Sequence, residues 1–413
     1  MRNSSANPVT GSNRVSPTML IGQIVLFACT MASSALAQQY TLLYNFTGNA
    51  DGDTPAGTLI RDSQGNLYGT TQYGGNASGL AGHGTVFEYT ASGQMNTLYA
   101  FTGNADGSNP FAGVVRDTQG NLYGTTPYGG TFTSYCAQGC GVVYEITSLG
   151  EELVRHSFEG SDGLFPMGGL FIDAQGYLYG TTMTGGSNGV NAGTVFSLSP
   201  GFIFGTIYGF EANRDGELPY AGVTIDNLGD IYGITTYGGE IGASVSHRSN
   251  GTVFEINRYG VKETPHTFSG GLDGAHPYGA LAWSQKGGLY GTTSSGGKLG
   301  WNGGGTVFQM EPAGEEKIVH EFTGTPDGGY PFAGVTLDTN GNIYGTTYYG
   351  GEYGQGSVFM ITPSGKETIL HSFSGSDGAG PYGGLVLDGS GNIYGAAAFG
   401  GAYGAGTLFE IVQ

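Results

Sequence analysis

The chain has 413 residues, 82 of them glycine, with 12% aromatic and only 11% charged residues. Glycine at this density without a three-residue period excludes collagen, and 27 tyrosines with 22 phenylalanines supply too much apolar surface for a disordered chain. A net charge of −19 excludes nucleic-acid or anionic-membrane binding through a basic face and leaves cations, neutral glycans and proteins as partners.

In chain order, Arg2 and Arg14 are the only charges before Tyr40, an apolar stretch runs from Met19 to Met31, and Ala35-Leu36-Ala37 forms an A-x-A cleavage pattern. Residues 1–37 are therefore read as a secretory signal peptide. The alternatives are a transmembrane anchor, which needs about 20 apolar residues and is interrupted by Gln23 and the small polar run 30–34, and a lipoprotein signal ending at Cys29. Cleavage leaves 11 basic against 32 acidic residues and no later segment apolar enough to span a membrane.

The pattern D-G-x2-P-x6-D-x5-Y-G-x4-G-G then occurs seven times without a gap, starting at Asp51, Asp106, Asp162, Asp215, Asp273, Asp327 and Asp377. Only Ser284 breaks the fixed positions, replacing the second Asp. Each copy predicts four short strands: a (113–117 in the second copy), b (121–126), c of the G-T-V-F type (84–90 in the first copy) and d ending in Phe (97–101). Links of about two to five residues between most of them predict an antiparallel meander. Four-stranded units of about 50 residues in seven copies predict an all-β fold, a seven-bladed β-propeller of four-stranded antiparallel blades. After the leader the chain opens on a d-type strand (41–46) and ends on a c-type strand (406–411). Pairing the N-terminal strand with the C-terminal strand closes the ring and removes two edges, whereas an open β array would leave both. The expected organisation is a signal peptide (1–37) and one propeller domain (38–413). Its repeats lie near 49–101, 104–158, 161–210, 213–268, 271–322, 325–373 and 376–413, with strand 40–46 completing the last.

The units L-Y-G-T-T-x-Y-G-G (67–75, 122–130), I-Y-G-T-T-Y-Y-G-G (343–351) and G-T-V-F (251–254) resemble the Gloeo/Verruco, or GloVer, tandem repeat of secreted bacterial proteins. The resemblance covers nearly all of 40–413, with Ala396-Ala397-Ala398 of the last copy departing from the usual Thr-Thr run. It implies a secreted repeat protein and adds no catalytic residue. Members often carry C-terminal surface anchors; none is expected here, because the chain ends in a strand pattern at 410–413.

Residues present in every copy are first explained by what every blade needs. The second Asp (Asp62, Asp117, Asp173, Asp226, Asp338, Asp388) is read as the cap of its own turn. The Gly-Gly pair ending strand b is read as a site of positive φ or close chain approach. His156, His266, His320 and His371 alternate with Tyr44, Tyr99 and Tyr208 two places before the d-strand Phe, and are read as polar-tipped packing residues. Function is sought where the d–a and b–c links emerge, on one face of the disc.

The leading reading is a secreted scaffold, a binding or structural module for extracellular glycans or a cell-surface protein. Its candidate ligand contacts are Phe111, Tyr220, Tyr278, Phe332 and Tyr382, each following the repeat Pro, with Met167 and Ala56 in the other copies. Tyr73, Tyr128, Tyr237, Tyr349 and Phe399 precede the Gly-Gly pair, and Trp301 with Asn302 lies in one b–c loop. Inter-blade packing is the competing role for each ring. A second reading makes calcium a cofactor, with Asn49, Asp51 and Asp53 in a faintly oxygen-rich loop. The alternative function is an extracellular carbohydrate-active enzyme, a polysaccharide lyase or glycosidase with its site at the channel mouth. Its candidate groups are His83, His247, Arg248, His276 and Glu240. Cys136 and Cys140 share the exposed b–c loop of the second copy and predict a disulfide formed in an oxidising compartment. The expected product is extracellular or periplasmic, monomeric, without nucleic-acid partners and without a membrane span after signal cleavage.

Overall fold

The glycine of each Y-G pair is where an aromatic ring lands. The computed structural model describes residues 38–76, 82–187, 189–212, 215–239, 249–284, 287–311 and 314–413, so the expected leader lies outside the described residues. A Cβ on Gly69 would stand 2.6 Å from the Phe87 ring, and one on Gly124, Gly233 or Gly395 would stand 2.3, 2.4 or 2.5 Å from the ring system of Tyr144, Phe254 or Phe409. Each of these c-strand rings also meets, edge-on, the d-strand Phe of the preceding blade. Phe46–Phe87, Phe158–Phe196 and Phe373–Phe409 have centroids 5.3 Å apart, and Phe101–Tyr144 5.0 Å. All these rings are buried, so one motif makes both the inside of a blade and the seam to its neighbour.

The strands form seven four-stranded antiparallel sheets, a seven-bladed β-propeller. Blade 1 consists of Ile60–Arg61, Leu67–Thr71, Thr85–Tyr89 and Met95–Ala100 in the order a-b-c-d. The last blade is Val386–Leu387, Ile393–Ala397, Thr407–Val412 and, from the other end of the chain, Gln39–Asn45. Tyr40 pairs with Ile411 and Asn45 with Thr407, so the ring is closed by the strand exchange read from the sequence.

Strand a differs from expectation. It is two residues long in every blade, as in Val115–Arg116, because its first half leaves the sheet to pack around the axis. There a Cβ on Gly57 would lie 2.3 Å from the Gly113 backbone nitrogen, and one on Gly279 2.1 Å from that of Gly334. Seven converging segments leave no room for side chains at those points, nor for partner strands.

The residue before each repeat Pro takes a left-handed conformation in all seven blades, with φ between 53° and 60° at Thr54, Asn109, Phe165, Leu218, His276, Tyr330 and Gly380. Six are not glycine, and each such residue costs roughly 1 kcal/mol. Hydrogen bonds explain the conformation. Its N–H donates to the preceding blade, as from Thr54 to the Ala405 carbonyl (3.0 Å) and from Tyr330 to the Gly304 carbonyl (2.7 Å). In six blades its own carbonyl accepts from the end of strand b, as from Gln72 N–H to Thr54 (3.0 Å).

Strand d slips register against strand c in every blade. Leu98 is passed over in blade 1, for example, so Val86 pairs with Tyr99 and Phe87 with Thr97. The slip turns the Tyr or His of the next position toward the seam.

Candidate ligand-binding channel

Strand direction brings the d–a and b–c links to one face, where short bridges such as Asp53–Tyr73 and Glu217–Tyr237 bind them together. The residue after each repeat Pro lies a few residues before strand a, in the segment that packs around the axis, and so stands at the mouth of the central channel. All five aromatic candidates, Phe111, Tyr220, Tyr278, Phe332 and Tyr382, line one cavity of about 490 Å³ there, with Met167 and Ala56 completing the circle. Their rings touch in sequence. Tyr220–Tyr278 lie 5.2 Å apart, Tyr278–Phe332 5.3 Å, Phe332–Tyr382 5.0 Å and stacked, and Tyr382–Phe111 5.1 Å. Ala56 of blade 1 is small, and across it Tyr382 reaches Phe111.

A second aromatic tier surrounds the first. Tyr73, Tyr349 and Phe399 are each roughly half exposed on the same face, and Tyr348 links the tiers by contacts of 5.4 Å to Phe332 and 6.5 Å to Phe399. Tyr128 instead packs on Phe165 (5.7 Å) and Tyr237 on His276 (4.9 Å). Tyr349 also packs on Tyr330 (5.8 Å), so packing engages three of these rings. Sequence reasoning did not single out Tyr348, because the residue two places before its Gly-Gly is Gln72, Pro127 or Thr236 in other copies.

The cavity wall is apolar. Among the described residues that line it there is no Asp, Glu, His, Lys or Arg; the polar groups are Thr58, tyrosine hydroxyls and backbone. Burial, then the neighbouring Tyr348 and Tyr220, pushes the Tyr382 phenol up to about 12. Burial also raises Tyr278, which shares a hydrogen bond with Tyr237. These phenols stay neutral at physiological pH and act as hydrogen-bond donors.

Of the acid–base candidates, the two that are described stay away from the channel. His83 Nδ1 bonds Ser108 Oγ at 2.9 Å and His276 Nδ1 bonds Ser295 Oγ at 3.0 Å, and neither lines the cavity. His247, Arg248 and Glu240 lie outside the described residues, as does the Trp301 side chain. Asn302 is exposed at the end of a short 3-10 turn, Gly300–Asn302, and is not part of the cavity wall. In the loop read for calcium, Asp51 accepts from Tyr44 Oη (2.9 Å), from Thr47 N (2.8 Å) and from the Thr47 hydroxyl. Asn49 donates to the Thr47 carbonyl (3.2 Å) and Asp53 accepts from the Thr54 hydroxyl (2.9 Å). The turn's own groups therefore account for these three side chains.

The second Asp does cap its turn, accepting N–H bonds from two and four residues on: Gln64 (3.0 Å) and Asn66 (2.9 Å) to Asp62. Burial opposes its ionisation, and these bonds with Tyr68 Oη outweigh burial, so Asp62 sits below its ordinary pKa. Cys136 and Cys140 are disulfide-bonded, but both are buried rather than exposed. The bridged loop folds into the seam, packing with Leu164 and Phe158, and the Cys140 carbonyl accepts the Phe165 N–H at 3.0 Å. Among the described residues no helix is long and apolar enough to cross a membrane.

A model of the Gloeobacter/Verrucomicrobia repeat matches residues 25–136, 130–337 and 243–413 and so runs through every blade. The chain belongs to the Gloeobacter/Verrucomicrobia repeat family. No curated protein matches this repeat protein in sequence. Among solved structures it is similar in fold to virginiamycin B lyase from Staphylococcus aureus, with a TM-score of 0.58 at 14% identity over 91% of this chain and 99% of that one. It is also similar to the extracellular domain of a putative hybrid two-component system from B. thetaiotaomicron, with a TM-score of 0.55 at 12% identity over 90% of this chain and 39% of that one. At such identities the likeness is one of fold alone.

Proposed function

We propose that this repeat protein is an extracellular binding module whose channel mouth holds a neutral glycan. The observation that carries the reading is the continuous run of five aromatic rings from five blades, with Met167 and Ala56 in the other two, around one cavity. A sugar ring presents apolar C–H faces that stack on aromatics and hydroxyls that accept from phenols, and this collar offers both. A cavity of about 490 Å³ falls in the ordinary size range of small-ligand sites. The net charge of −19 disfavours anionic polysaccharides. The buried disulfide fits an oxidising, extracellular or periplasmic setting.

The test is retention of the mature protein on a panel of neutral and anionic polysaccharides, repeated with Tyr278→Ala, Phe332→Ala and Tyr382→Ala. Retention on a neutral glycan, weakened roughly two- to tenfold per ring removed, is the expected result. Equal retention by the triple variant, or none by the wild type, would sink the proposal. Release of reducing or unsaturated ends from the retained glycan would turn the reading toward the carbohydrate-active enzyme.

A further inference from the structure

At each seam, on the outer side away from the channel, the Tyr or His turned inward by the strand-d slip faces the first Asp of the following D-G turn. Tyr44 and Tyr99 donate to Asp51 and Asp106 at 2.9 Å, and Tyr208 donates to Asp215. His156 and His371 meet Asp162 and Asp377 at 2.8 and 2.9 Å. Two seams break this rule. His266 Nε2 stands 3.7 Å from Asp273, and His320 Nε2 stands 3.7 Å from Asp327.

Among the four seams that carry His, what sets these two apart is the residue arriving from the next blade's strand d. It is aromatic beside the two close pairs: Phe204 stacks on His156 at 3.9 Å and Tyr40 on His371 at 3.8 Å. Beside His266 it is Glu316, and beside His320 it is Glu367, each with a carboxylate oxygen 3.5 Å from Nε2. The three ligand atoms of each trio lie within 4.8 Å of one another. The residues are partly buried, and four of their atoms are fully buried without a hydrogen-bond partner: His266 Nε2, His320 Nε2, Glu316 Oε1 and Glu367 Oε1. The Glu316 side chain is only 10% exposed. A buried carboxylate oxygen left unpaired is costly and calls for a partner.

We infer that the His266–Asp273–Glu316 and His320–Asp327–Glu367 trios are two divalent transition-metal sites that staple blades 4, 5 and 6 together. Ligands 2.0–2.2 Å from a tetrahedral ion stand about 3.4 Å apart, close to the 3.5 and 3.7 Å found here and wider than a hydrogen bond. One imidazole with two carboxylates suits zinc or manganese, whereas calcium prefers six or more oxygens. The Asp ligands are held in place from behind. Asp273 accepts from the Ser269 N–H and hydroxyl, and Asp327 from the Thr323 N–H (3.2 Å) and hydroxyl (3.0 Å). Another seam carries its own positive charge in the corresponding place: Lys262 Nζ lies 3.8 Å from the Asp215 carboxylate and donates to its carbonyl at 2.8 Å. Beside His266 and His320 the residue in the corresponding place is acidic instead, and the positive charge is left to an ion.

The experiment is a zinc titration of chelator-stripped mature protein, followed by calorimetry and by thermal unfolding. Wild type is expected to take up about two zinc ions and to melt higher with zinc but not with calcium. Glu316→Gln and Glu367→Gln should each lose one ion, and the double variant both, with unchanged circular dichroism. The amide keeps the shape of the acid and removes a buried charge, so the variants fold. A cobalt-loaded wild type should show the visible absorption of a four-coordinate site, and the double variant should not. Equal zinc uptake by wild type and double variant, or no uptake by wild type, would overturn the inference. Glycan retention uses other residues, so its failure and the failure of the metal sites are separate results.

Discussion

A single hydrogen atom decides the Y-G position. Gly69→Ala would put a methyl group 2.6 Å from the Phe87 ring, inside contact distance of a fully buried side chain. Overpacking of this kind costs roughly 1–3 kcal/mol, and a lowered melting temperature in Gly69→Ala, partly restored by Phe87→Leu in the same chain, is the expected outcome. Failure of the second change to restore stability would show that backbone conformation rather than the ring governs the site. Glu152 makes a different case. Burial, then the nearby Asp106, pushes its carboxyl up to about 7 from an ordinary 4.5, and its Oε1 has no partner. The folded chain therefore holds a proton there that the unfolded chain has released. Stability falls as pH rises from 4.5 to 7, and the penalty is complete above 7. Glu152→Gln should accordingly raise the melting temperature at pH 8 and leave it nearly unchanged at pH 4; equal shifts at both pH values would contradict this account.

Among the elements, the strand Gln39–Asn45 carries the greatest responsibility, since it alone joins the two ends of the chain in one sheet. It supplies the Tyr40 ring beside His371, and Phe46, the residue after it, meets Phe87 at the other seam. Deleting residues 38–46 would bare the edge of Thr407–Val412 and open two seams at once. Such an edge recruits other strands. The truncated protein is expected to sediment as dimers and larger species, and a peptide of sequence 38–46 added in excess should return it to monomer. A monomeric truncated protein without peptide would mean that the open ring protects its own edge.

Taken whole, the ring was written plainly in the sequence, because a repeat states the same constraint seven times. Blade count, strand order and the closing strand all follow from the spacing of Asp51, Tyr68 and Phe87 and their equivalents. The aromatic collar was legible too, since the position after Pro recurs once per blade on the link that leads into strand a. Two things were hidden. The left-handed residue before Pro has no composition signal, being Thr, Asn, Phe, Leu, His, Tyr or Gly, since hydrogen bonds to the neighbouring blade impose it. The seam trios were hidden because their members come from different repeats. Glu316 and His320 form an E-x3-H pair on one strand, yet Glu316 serves the His266 of the blade before, and a signal that skips a repeat is invisible along a single copy.

The seams also describe how such a ring can change over generations. One frame, a slipped strand facing an Asp turn, recurs at every joint, while the residue offered by the next blade is free to be Glu152, Phe204, Lys262, Glu316, Glu367 or Tyr40. The joint is apolar, cationic or acidic according to one codon, and the backbone around it stays the same. A duplicated blade therefore arrives with a position at which new chemistry can be tried without placing the fold at risk.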